Sequence, residues 1–136
     1  MKNQQLVELW LNRARSNLER ARAGQITEEI LFEDLCFDCQ QAVEKSLKAW
    51  MISRDIIFPW THSIARLLEL LEEKGTILPE DIKDALILSD YAVTTRYPGE
   101  YEPVTEDEFR EALNIAERVF AWVLQQVKKE CDVNLR

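Results

Sequence analysis

Only three glycines and four prolines interrupt 136 residues, and this scarcity constrains the fold more than any other feature. Sandwiches and barrels turn every few residues and draw on glycine and proline at those turns. Here the two residue types are too sparse for that, and between them apolar side chains recur at three- and four-residue intervals. The expectation is all-α: an antiparallel up-and-down helical bundle of about five helices, four-helix-bundle-like, in one domain spanning residues 1–136.

The spacing predicts a first helix from about Gln4 to Ala23, carrying Leu6, Trp10, Ala14, Leu18 and Ala21, with Gly24 as its stop. A second follows Thr27 as N-cap and continues to about Arg54, with Phe32, Leu35, Cys36, Cys39, Val43 and Trp50 on its main face. Pro59 keeps that helix from continuing. Thr61 or Ser63 opens a third, closed near Gly75, and Pro79 begins a short fourth with Ile82, Ala85, Leu86 and Leu88. Thr105 and Glu108 have the spacing of a capping box, which would launch a long last helix through Val127.

Two helices carry a second apolar strip. Ile30, Phe37 and Met51 lie whole heptads apart on the far side of the second helix, and Ile115 and Trp122 repeat the pattern in the last. Either a short helix or the N-terminus covers these strips, or they form a homodimer interface; the dimer is the favoured expectation, since an exposed Trp and Phe are a liability.

A net charge of −8 weighs against general nucleic-acid binding, which needs Lys and Arg against phosphate, and leaves RNA only a local cleft. Arg13/Arg20 and Arg15/Arg22 look like such a patch, but helical geometry puts the two pairs on opposite sides of the apolar stripe. No apolar run reaches membrane-spanning length. An odd cysteine count without a signal peptide places the expected location in the cytoplasm.

Cys36 and Cys39 form a C-x-x-C, but both fall on the buried face of a mid-helix and there is a single histidine, so no metal site is expected. His62 has no nucleophile or orienting carboxylate beside it in the sequence. Gln41, Glu44, Lys45 and Lys48 gather on the polar side of the second helix beside Phe37. They face either water or a groove. Arg96, held in the stiff turn Tyr97-Pro98-Gly99, offers a guanidinium fork suited to phosphate; its other reading is an ion pair that pins the turn.

Together, "CFDCQQAVEKSLKAWMISRDIIFPWTHSIARLLELL" and "LSDYAVTTRYPGEYEPVTEDEFREALNIAERV" make the chain resemble the HEPN domain family. That resemblance implies a helical bundle that dimerises and, in prokaryotes, is commonly encoded beside a minimal nucleotidyltransferase in a toxin–antitoxin-like pair. Many members are metal-independent ribonucleases in which an Arg is followed, after four to six residues, by a His. Here the positions counted from Arg96 hold Tyr101, Glu102 and Pro103, and tyrosine is a poor proton shuttle at neutral pH.

The resulting expectation is a homodimer that binds a nucleotide or nucleotidyl group and accompanies a nucleotidyltransferase, with no catalytic residue or cofactor of its own and ATP as the candidate ligand. Arg96 would contact phosphate, Tyr97 and Tyr101 would stack or hydrogen-bond, and Lys45, Lys48, Gln41 and Glu44 would contribute from the second helix. The alternatives are a diverged ribonuclease that recruits His62, and a structural protein-interaction dimer.

Overall fold

The computed structural model describes the backbone of residues 3–92 and 102–131. Among these described residues five α-helices stand in the order α1 (Gln4–Ala23), α2 (Phe32–Ser53), α3 (Ile64–Glu73), α4 (Glu80–Lys83) and α5 (Glu106–Cys131), with a 3₁₀ segment over Asp84–Ala92. The all-α bundle expected from the sequence is the fold. None of the described helices is long and apolar enough to cross a membrane.

α2 is the central element, packed against α1, α5, α3 and the 3₁₀ segment. Its position explains one failure of the heptad reading. Met51 is 0% and Ile115 1% exposed, so both belong to the core of the single chain and neither offers a surface to a second copy. A helix surrounded on several sides buries more than one face. Ile30 and Trp122 are partly buried against the same core, and Phe37 is likewise intermediate.

The helix ends follow local chemistry. Gly24 stops α1 with φ +67°, and its N–H reaches the Ala21 carbonyl at 3.0 Å. α3 closes with Gly75 at φ +92°; the Gly75 N–H reaches Glu72 O at 3.0 Å and the Thr76 N–H reaches Leu71 O at 3.0 Å, the paired bonds of a Schellman motif. α2 ends the same way, but with Asp55 rather than glycine in the left-handed region, at φ 58°. The Ile56 N–H then reaches Met51 O at 2.8 Å. The capping box forms as its spacing predicts: Thr105 N donates to Glu108 Oε1 at 3.0 Å and Glu108 N to Thr105 Oγ1 at 3.1 Å.

Two boundaries differ from expectation. α2 begins at Phe32 with Leu31, not Thr27, at its N-cap. Residues after Gly24 close a loop of their own, in which Ile30 N–H bonds the Thr27 carbonyl at 3.2 Å and Gln25 Nε2 donates to the Ile30 carbonyl at 2.6 Å. The predicted fourth helix stays α-helical for four residues only. Ile82, Ala85 and Leu88 are buried while Leu86 is 47% exposed; a three-residue repeat matches the 3₁₀ turn, where side chains three apart line up.

Candidate functional site

The polar residues of α2 separate into two groups. Gln41 and Lys45 line one groove; Glu44 and Lys48 do not.

The groove has a volume of about 640 Å³ and lies where α1, the following loop and α2 meet. Its apolar wall is Ile26, Ile30 and Phe37, and its polar wall includes Asn17, Arg20, Gln41 and Lys45. Asn17 organises the polar side: its Nδ2 donates to Asp38 Oδ1 at 2.9 Å and its Oδ1 accepts from Lys45 Nζ at 2.7 Å. The exposed Arg20 guanidinium stands 3.5 Å from the second oxygen of the buried Asp38. Asp38 is thus occupied from within, whereas an ammonium has three donors and Asn17 is Lys45's hydrogen-bond partner here. Burial is the main influence on Lys45 and pulls its pKa below the usual 10.5, against the opposing pull of Glu44. The lining holds two carboxylates, Asp34 and Asp38, beside its two cations; Arg20 and Lys45 next to an aromatic and two isoleucines suit a ligand that is anionic at one end and planar at the other.

The second group is a buried carboxylate network. Glu44 Oε1 accepts from Lys48 Nζ at 3.3 Å and faces His62 Nδ1 at 2.7 Å, while Oε2 accepts from Gln41 Nε2 at 3.0 Å. Lys48 lies beneath two rings, 5.5 Å from the Trp10 centroid and 5.6 Å from that of Phe58. A buried ammonium tolerates such a place only with a carboxylate and π faces to replace water. Gln40 Nε2 donates to the His62 carbonyl at 3.3 Å, so α2 grips His62 by both ring and backbone. The orienting carboxylate that the sequence did not reveal is Glu44, 18 residues away.

Of the other candidates, Arg96, Tyr97 and Tyr101 lie outside the described residues. The α1 arginines divide as helical geometry requires: Arg20 turns to α2, while Arg15 lies 5.3 Å over the Phe120 ring and Arg22 pairs with Glu117 of α5. Cys36 and Cys39 are both buried and not in a disulfide. Burial above all, and then the neighbouring Cys36 and Asp38, push the Cys39 thiol far above its normal range, which makes it unreactive as a nucleophile. Among the described residues no group of three His, Cys, Asp or Glu could hold a metal ion. Sequence reasoning missed Asn17 and Asp38 and weighed Arg20 only as part of an RNA-binding patch; the available signal was a polar Asn17 next to Leu18, on the apolar side of α1.

The sequence model of the family described as HEPN domain matches residues 7–128. The crystal structure of ST0689, an archaeal HEPN homologue, superposes with a TM-score of 0.72 at 33% identity, covering 90% of this chain and 98% of that one. The crystal structure of TT1696 from Thermus thermophilus gives a TM-score of 0.75 at 31% identity, covering 93% and 99%. No curated protein matches.

Proposed function

Because this chain belongs to the HEPN domain family, we propose that it is a homodimer that binds a nucleotide or nucleotidyl group and serves as the accessory partner of a minimal nucleotidyltransferase. The observation that carries the reading is the groove of about 640 Å³, in which Phe37, Arg20, Gln41 and Lys45 converge. Its volume falls in the range of small-molecule sites, and its aromatic wall and paired cations correspond to a base and a phosphate. Arg96 is assigned to the phosphate, with Tyr97 and Tyr101 alongside. Ile30 and Phe37 are given to the groove wall, and Trp122, which is not in its lining, remains as the interface residue.

A ribonuclease built on His62 gains an orienting carboxylate from Glu44, but among the described residues the neighbouring Lys48 ammonium is enclosed between Trp10 and Phe58 and directed at Glu44. Binding is therefore the preferred reading. Isothermal titration calorimetry with ATP tests it. Wild type binds, and Lys45→Ala and Arg96→Ala each weaken binding several-fold. No heat with wild type, or wild-type affinity in both variants, overturns the ligand role.

A further inference from the structure

We infer that His62 is a phosphoryl acceptor whose Nε2 is made nucleophilic by the buried Glu44 carboxylate. The inference does not rest on the nucleotide groove, whose lining contains neither residue and meets this pair only through Gln41. The side chains contrast sharply in exposure, 75% for His62 against 2% for Glu44, although Nδ1 and Oε1 are 2.7 Å apart. A carboxylate oxygen accepts, so the contact calls for the Nδ1–H tautomer, and in the neutral ring that tautomer leaves the lone pair on Nε2. Nε2 is then the free nitrogen of a side chain that is 75% exposed. Glu44 is itself held by Gln41 and Lys48, and the Gln40 bond to the His62 carbonyl fixes the backbone; the acceptor is prearranged rather than assembled on collision.

The location suits the product. His62 immediately precedes Ser63, whose hydroxyl caps the ten-residue α3 by accepting from Arg66 N at 3.1 Å. A dianionic phosphoryl group there would lie near the positive end of a helix dipole. In the reaction, the Nε2 lone pair forms the N–P bond as the bond from phosphorus to the leaving group breaks. The leaving group departs with that electron pair. The ring, now substituted at Nε2 and still protonated at Nδ1, carries a positive charge that Glu44 offsets, so no proton need be removed. The donor class is an activated phosphoryl compound: a phosphoramidate, which releases an amine, or an acyl phosphate, which releases a carboxylate.

With one histidine in the chain, the product is unambiguous. The full chain is treated with potassium phosphoramidate in one arm and acetyl phosphate in the other, and followed by intact mass spectrometry and phosphorus NMR. The expected result is a single acid-labile phosphoryl group on Nε2 in at least one arm. It should form about tenfold or more faster than on N-acetylhistidine methylamide, the factor corresponding to one charge-assisted hydrogen bond. His62→Gln is unlabelled, and Glu44→Gln falls to the rate of the small compound. Two outcomes on wild type alone overturn the inference, whatever the folding of the variants: a rate no greater than that of the small compound in both arms, or a label on Nδ1.

Discussion

Replacing Glu44 by alanine removes the acceptor shared by Lys48, Gln41 and His62. The Lys48 side chain is 9% exposed, so its ammonium would be left in a low-dielectric site without a counter-charge. Removing one member of a buried ion pair costs about 3–5 kcal/mol. The Trp10 and Phe58 rings continue to face the ammonium, and a desolvated cation–π contact of about 2 kcal/mol keeps the expected loss near the lower end, about 3 kcal/mol. With a urea m-value of roughly 2 kcal/mol per molar, the unfolding midpoint falls by about 1.5 M. The assay is urea unfolding followed by circular dichroism for wild type, Glu44→Ala, Lys48→Met and the double variant. Lys48→Met in the alanine background should recover more than about 1 kcal/mol, because the orphaned charge is gone. A Glu44→Ala loss below about 0.5 kcal/mol, or simple additivity of the two changes, would show that the contact contributes little and would refute the reasoning.

Asp55 occupies the left-handed region at the end of α2, so Asp55→Gly should raise stability by about 0.5–1 kcal/mol in the same urea assay. Thr105→Ala removes the Oγ1 that accepts from the Glu108 N–H, while the backbone N–H of residue 105 can still donate to Glu108 Oε1; the change should cost about 1 kcal/mol, read as a lower Tm. Lys45 has a folded pKa below its unfolded value of 10.5; the unfolded chain therefore binds more protons between the two values, and its contribution to stability rises with pH across that window. Lys45→Met should flatten this part of the stability–pH curve, measured as Tm against pH. Trp122→Glu should shift the proposed dimer to monomer in sedimentation while leaving the helical circular dichroism intact.

Local chemistry made much of the fold legible. The ends of α1, the stops at Gly24 and Gly75 and the Thr105–Glu108 box are set within a few residues, and each is where the sequence indicates; Leu6, expected on the α1 stripe, is instead 43% exposed, and Val7 and Leu11 are buried in its stead. What depended on neighbours was harder to read. Met51 and Ile115 lie off the main stripes of their helices, yet the central position of α2 buries both. Leu86 is apolar but exposed because the chain tightens into a 3₁₀ turn after Lys83. At the site, the polar cluster of α2 was visible as a cluster, but not its division. Lys45 meets Asn17 across 28 residues and Glu44 meets His62 across 18, and no periodicity within one helix carries such contacts. His62 looked isolated because its carboxylate belongs to another element.

The most direct test of the binding account is a titration of isotopically labelled protein with ATP, followed by amide chemical shifts. The account predicts saturable shifts concentrated at Arg20, Phe37, Gln41 and Lys45, the residues that share the groove. Unchanged spectra at millimolar ATP, or shifts that leave those four residues untouched, would contradict it.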